Sequence, residues 1–243
     1  MQFKSFVVLA LSSAVFAQVP LANVYDNCVK PNTVAMTFDD GPYNYNFDIL
    51  TVLKKYNAKA TFFFNGNNYR CIYDMDTTVR NVVEGGHQIA SHTWSHPNLK
   101  DMNRTQIEEQ LSKVDEAIVR ITGLRPAFMR PPYGDYNDLV REVAAARNQS
   151  LVNWSFDSGD SAGKTVQQSE DAYAAHIQSK PSAIIALNHE TQPTTAKQLV
   201  AKVIQKLIDA GYIPTTVAEC LGDLPPYINT TTPEPKDPKT WKC

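Results

Sequence analysis

Past its first residues, this 243-residue chain has no run long and apolar enough to cross a membrane. Its C-terminal end, TPEPKDPKTWKC, lacks the hydrophobic tail of a lipid-anchor signal, so no membrane anchor is expected. It has no excess of positive charge. The 23 Lys and Arg face 25 Asp and Glu, for a net charge of −2, so nothing electrostatic points to nucleic acid or an anionic surface. A disorder signature is also missing, because 43% hydrophobic and 20% charged residues is an ordinary globular balance. No internal repeat and no linker-like stretch interrupts residues 28–222, which argues for one domain, placed at 18–222. No H-E-x-x-H occurs, which removes the usual zinc-peptidase arrangement.

The first 17 residues, MQFKSFVVLALSSAVFA, read differently. One early cation, Lys4, precedes an apolar run and then small residues, the pattern of a secretory signal peptide with cleavage after Ala17. A secreted, extracellular or cell-wall location is therefore expected, and it changes how the cysteines read. Cys28, Cys71, Cys220 and Cys243 match no zinc spacing, and an even number in an oxidising compartment suggests two disulfides. Three connectivities are possible. Cys28 precedes the first predicted strand and Cys220 follows the last, so a fold that closes on itself favours Cys28–Cys220 and leaves Cys71–Cys243. Glycosylation sequons occur at Asn103, Asn148, Asn153 and Asn229. Asn153 falls in a predicted strand and is set aside as a glycan site.

Short apolar runs alternate with helical patterns. Strands are predicted at 33–38, 60–66, 88–93, 126–130, 150–156, 182–188 and 213–217, rich in β-branched and aromatic residues. The clearest helix is expected to start at a Thr105-x-x-Glu108 capping box. Ile107, Leu111, Val114, Ile118 and Ile121 then form one apolar stripe, and Gly123 supplies the stop. A second good helix runs from about 196 to 210, with others near 46–56, 77–84, 138–147 and 168–178. This alternation argues for an α/β fold with a parallel sheet and outer helices, and both an open doubly wound sheet and a closed barrel satisfy it. Residues 223–243 form a Pro/Thr-rich extension, expected to run over the surface with Cys243 pinning its end.

Parallel α/β folds place their sites at the carboxyl ends of the strands. Asp39 and Asp40 end the first predicted strand, His92 the third and Arg130 the fourth; Asp157 and Asp160 follow the fifth, and His189 the sixth. In HTWSHP, His92 and His96 are spaced to share a metal on one helical turn or in a tight loop. Asp39 or Asp40 could supply the third donor, leaving a coordination position open for water. In TFDDGP the Gly-Pro is turn chemistry, but two adjacent carboxylates raise each other's pKa unless a cation is near. In RPPYG two prolines remove backbone donors, so the next free N–H, that of Tyr133, could face an oxyanion, while Arg130 could grip a carboxylate. DSGD offers an acid to hold that arginine.

In chain order, TFDDGP, H-T-x-x-H-P, R-P-P-Y, D-x-x-D and L-x-H resemble the five motifs of the polysaccharide deacetylases of the carbohydrate esterase type. The likeness covers roughly residues 30–220, and VAECLGD and LNHE are most similar to fungal chitin deacetylases. It implies a single-domain distorted (β/α) barrel holding one divalent metal, usually zinc, sometimes cobalt. It also implies Asp39 as general base, Asp40 with His92 and His96 as metal ligands, and Arg130 orienting Asp39. The Tyr133 N–H would bind the oxyanion, His189 would be the general acid, and Leu187 would line the acetyl pocket. The activity implied is removal of N-acetyl groups from chitin or its oligosaccharides, by a monomer. One departure is Ser161, where the family carries an aromatic residue after D-x-x-D. Trp94 and Trp154 are the candidates to supply the missing ring. O-deacetylation of acetylxylan and non-catalytic wall binding are the competing readings.

Overall fold

The computed structural model describes residues 19–243. The expected signal peptide lies outside the described residues. In chain order the elements are β1 (Val24–Tyr25), β2 (Thr33–Gly41), α1 (Asn46–Lys55), β3 (Thr61–Phe64), α2 (Asp76–Glu84) and β4 (Gln88–Ser91). Then come α3 (Arg104–Thr122), β5 (Leu124–Pro126), β6 (Phe128–Met129), α4 (Asp138–Ala146), β7 (Ser150–Val152) and β8 (Phe156–Asp157). The last are α5 (Val166–Gln178), β9 (Ile184–His189), α6 (Val200–Asp209), β10 (Ile213–Thr215), α7 (Val217–Cys220) and β11 (Tyr227–Thr230).

The main sheet is parallel throughout and runs β1-β7-β6-β4-β3-β2-β9-β8, with β10 also paired to β2. The two end strands, β1 and β8, are not paired with each other. The architecture is therefore a curved, incompletely closed parallel sheet wrapped by helices, a distorted (β/α) barrel. Instead of one strand at 150–156, β7 and β8 sit at opposite ends of the sheet order, and residues 153–155 bridge the gap between them.

Strand alternation decides what faces where. On β2, Val34, Met36 and Phe38 join the large cluster packed beneath the outer helices, while Ala35 belongs to a smaller cluster in the barrel interior with Phe63, Ala90 and Ile185. Residues 33–39 are all buried, as a central parallel strand with both faces covered requires. Each fully buried Phe or Ile contributes roughly 1.5–3 kcal/mol of transfer free energy. The interior cluster also contains the Cys28–Cys220 disulfide, and Cys71–Cys243 is the second bridge.

The helix expected to be capped by Thr105 is capped two residues earlier. Asn103 is its N-cap, and the capping box is Asn103 with Gln106. Asn103 Oδ1 accepts the Gln106 N–H at 3.0 Å and the Gln106 side chain returns the bond to Asn103 N–H at 3.0 Å. Asn caps at least as well as Thr and sits where the chain turns helical, so it wins. Gly123 closes the helix in the left-handed region (φ 76). The helix expected from 196 opens instead as a π-helical turn, Thr195–Leu199, before α6. The tail is more than an extension over the surface. β11 pairs antiparallel with β5, and Trp241 is buried against Tyr73, with ring centroids 5.5 Å apart.

Candidate active site

At the carboxyl end of the sheet lies a cleft of about 580 Å³. Strand parity fills it. Counting in twos from the interior residues Ala35, Ala90, Phe128 and Ile185 reaches Asp39, His92, Arg130, Leu187 and His189. Asp40 breaks the parity: strict alternation would aim it at the helices. The backbone solves this with a left-handed residue. Asp40 has φ 69, and the pairing of β2 with β3 slips a register between Asp39 and Gly41. Both carboxylates then face the cleft. Gly41 is required there, since a Cβ would overlap the Glu190 carboxyl.

The two carboxylates have separate partners. Asp39 Oδ1 accepts from Arg130 Nη1 at 2.7 Å, and its Oδ2 lies 3.7 Å from His92 Nε2. Arg130 is fully buried, and each of its three side-chain nitrogens has an acceptor. Nη1 also reaches Thr37 Oγ1, Nε the Val152 carbonyl and Nη2 the Asn153 carbonyl, at 2.7–3.0 Å. Its guanidinium stacks on Phe63 at 4.1 Å. Burial pushes the Asp39 carboxyl above its ordinary value, while Arg130 and His189 pull it back.

Asp40 instead faces the two imidazoles. Its Oδ1 is 3.7 Å from His92 Nε2 and 3.5 Å from His96 Nε2, and the three donors lie within 4.8 Å of one another. The histidines sit in a loop rather than on a helical turn, with Thr93 (φ 72) and His96 (φ 60) both left-handed. His92 Nδ1 meets the Arg130 carbonyl at 2.8 Å, which fixes the ring and leaves Nε2 with its lone pair. Burial lowers the His92 pKa to about 3, so the ring is neutral, as a ligand must be. One carboxylate and two imidazoles converging from one side fit a divalent cation with open positions toward the cleft.

Across the cleft stands His189. Its Nδ1 meets Asp160 Oδ1 at 2.8 Å, and its backbone N–H donates to Asp160 Oδ2 at 2.7 Å. Thr195 Oγ1, on the π-helical turn, donates to the same oxygen at 2.7 Å. Burial alone would lower the His189 pKa, but the Asp160 bonds and charge, helped by Asp39 and Asp40, raise it to about 9. Leu187 forms part of the cleft floor. Tyr133, itself left-handed (φ 62), lines the mouth and donates its N–H to no protein acceptor among the described residues.

Two expectations are corrected. Neither acid of DSGD holds Arg130. Asp157 Oδ1 accepts the Gly159 N–H and closes its own turn, and Asp160 is committed to His189. Trp94 does not line the cleft. Its ring lies over Gly66, where no Cβ would fit, and packs against the main core. Trp154 does line the cleft, as do Tyr69 and Asn68, which sequence reading passed over. Their signal was available: NGNNYRC follows the carboxyl end of a strand, just before a cysteine. Glu190, the last residue of LNHE, also supports the site. It is fully buried, and its carboxylate accepts from the Tyr43 N–H at 2.5 Å and from Asn46 Nδ2 at 2.9 Å, bracing the turn after Gly41. Burial pushes its pKa up to about 8.

The family model described as polysaccharide deacetylase matches residues 26–152. A chitin deacetylase of Pestalotiopsis sp. is 33% identical over 213 residues, covering 85% of this chain and 70% of that protein. The chain belongs to the polysaccharide deacetylase family. Within the family, the solved chitin deacetylase of Colletotrichum lindemuthianum superposes with a TM-score of 0.80 at 30% identity, over 85% of this chain and 95% of that one. A probable peptidoglycan-N-acetylglucosamine deacetylase of Arthroderma benhamiae is 35% identical over 88% of this chain, which spans half of that relative's length.

Proposed function

We propose that the chain is a divalent-metal-dependent deacetylase that removes N-acetyl groups from chitin or chitooligosaccharides, releasing acetate and leaving glucosamine units. The observation that carries this reading is the division of one cleft between the Asp40, His92 and His96 donor set with Asp39 on one side and the Asp160–His189 pair on the other. Chitin deacetylases among the relatives support the substrate. The donor set favours zinc, with cobalt as the alternative.

A cation held there supplies Lewis acidity toward water and the acyl oxygen. The remaining work falls to the chain. Asp39, held in one orientation by Arg130, takes a proton from the water that attacks the acetyl carbon. The Tyr133 N–H donates to the developing oxyanion. His189, protonated because Asp160 stabilises its charge, gives a proton to the departing amine. Leu187 packs against the acetyl methyl, and Trp154 borders the sugar. Proton count balances: one is taken by Asp39 and one delivered by His189.

In this reading residues 1–17 direct secretion, 18–222 carry the chemistry, and 223–243 brace it, in a monomer acting outside the cell or in its wall. The exposed Asn103, Asn148 and Asn229 are the glycan acceptors; Asn153 is partly buried beside Arg130. Mass spectrometry of chitopentaose after incubation with zinc-loaded enzyme tests the reading. Stepwise loss of acetyl groups is expected. Acetate from acetylxylan or peptidoglycan but not from chitopentaose would reassign the substrate, and binding without acetate release would make the chain a wall-binding protein.

A further inference from the structure

The three metal donors are drawn from two separate strand ends. Asp40 stands at the end of β2, and His92 and His96 follow β4. β3 lies between those strands in the sheet, so the residue that leaves β3 stands between the two donor loops. That residue is Asn65. It is only 1% exposed, and it is bonded to both sides. Its backbone N–H donates to the Gly41 carbonyl at 2.7 Å, one residue past Asp40. Its side-chain Nδ2 donates to the His92 carbonyl and, at 3.1 Å, to the Thr93 carbonyl. Its Oδ1 accepts from Asn68 Nδ2 at 3.1 Å. A carbonyl can only accept, so the amide has one workable orientation, with Nδ2 toward the histidine loop.

Both loops need holding. Asp40 (φ 69), Thr93 (φ 72) and His96 (φ 60) are left-handed without being glycine, a conformation that persists only where surrounding bonds impose it. Much of the histidine loop is held from the exit of β3. The Gly66 N–H donates to the same Thr93 carbonyl at 3.3 Å, and the Asn67 N–H donates to the Trp94 carbonyl at 2.6 Å. Thr93 Oγ1 in turn accepts the His96 N–H at 3.1 Å, so the placement of Thr93 is passed on to the second imidazole. Of Asn65, Gly66 and Asn67, only Asn65 also bonds the turn after Asp40.

We propose that Asn65 is a positioning residue for the donor set. Its side-chain amide and its backbone N–H clamp the Asp40 turn and the histidine loop at the spacing one cation requires. It does not line the cleft, and it acts through the backbone of His92, Thr93 and Gly41. This rests on the metal reading above.

Zinc dissociation constants, measured by competition with a chromogenic chelator, test it together with the visible spectrum of the cobalt-substituted protein. The proteins compared are the parent, Asn65→Ala, Asn65→Asp and Asn103→Ala. The last loses a helix cap away from the cleft and controls for a general loss of stability. Groups that support metal ligands from behind typically carry about 10–100-fold in affinity. Asn65→Ala should weaken zinc binding by that factor and shift the cobalt bands, while Asn103→Ala should match the parent. Asn65→Asp keeps the shape and removes both donations, so it should also lose zinc affinity although its added charge favours a cation. Parental zinc affinity in Asn65→Ala would overturn the proposal. So would equal losses in Asn65→Ala and Asn103→Ala, which would make the effect one of stability. Parental affinity in Asn65→Asp beside a loss in Asn65→Ala would overturn it too, by making the side chain a space filler. Failure of both Asn65 variants to fold, read by circular dichroism, would count against it in the same way. A parent that binds neither zinc nor cobalt would overturn the metal reading and the proposal with it.

Discussion

His92 and His189 stand on facing walls of one cleft, and both are withdrawn from solvent, yet their protons behave in opposite ways. Burial takes His92 down to about 3. His189, which burial also pushes down, rises to about 9. The difference is a hydrogen-bonded carboxylate. Asp160 receives both the ring N–H and the backbone N–H of His189, whereas His92 turns its proton to a neutral carbonyl and meets Asp40 only at 3.7 Å. Burial by itself therefore does not assign protonation in this cleft; the geometry of the nearest carboxylate does. The backbones differ as well. Asp40, Thr93, His96 and Tyr133, all non-glycine and all left-handed, cluster on the donor wall. Each such residue costs on the order of 1 kcal/mol or more. The acid wall obtains its effect from side-chain bonds instead.

The contrast is broken most severely at Arg130. Arg130→Met leaves Asp39 buried without its cation, and breaking a buried pair costs about 3–5 kcal/mol, read by denaturant unfolding. Asp39 must be ionised to accept a proton. Losing the cation raises its pKa further, so the acid limb of kcat/KM moves to higher pH. Asp160→Asn attacks the other wall. His189 must be protonated to donate. If its pKa falls from about 9 toward the ordinary 6.5, the protonated fraction at pH 8 drops about thirtyfold, and the alkaline limb of the rate profile moves down by the same shift. An unmoved alkaline limb would take the acid role away from His189. Replacing Cys71 and Cys243 by Ser frees the loop below the donor wall. A loss of about 2–5 kcal/mol is expected by thermal and denaturant unfolding, with KM raised more than kcat is lowered. The smallest effect belongs to neither wall. Asn103→Ala should cost about 1 kcal/mol of stability and leave the pH profile unchanged, while Thr105→Ala should be close to neutral.

Much of this was legible in the sequence because strand parity and motif order are local. The spacing of His92 and His96, the position of Arg130 after PAFM and of His189 after an apolar run all put chemistry at strand ends, and the chain places it there. The disulfide pairing followed from the idea that the ends of the fold meet. What could not be read depended on contacts between distant segments. Asp160 is three residues from Asp157, but only the packing of β9 beside β8 decides which acid reaches His189. Trp94 and Tyr69 are both aromatic residues in loops after strands, and only the approach of the Gly66 backbone sends one into the core and leaves the other at the mouth. The cap at Asn103 was a local error, made because Thr105-x-x-Glu108 satisfies the same pattern two residues later. Asp40 lay between these cases. The sequence posed its conflict, two neighbouring acids for one site, and the left-handed residue resolves it.

The division of labour between those two acids is the centre of the account. Metal content measured by inductively coupled plasma mass spectrometry on Asp39→Asn and Asp40→Asn, purified side by side with acetate release assayed on each, tests it directly. Asp39→Asn should keep about one ion per chain and lose about 10²–10⁴-fold in kcat, the share of a positioned base, while Asp40→Asn should lose the ion. Equal metal content in the two variants would contradict it.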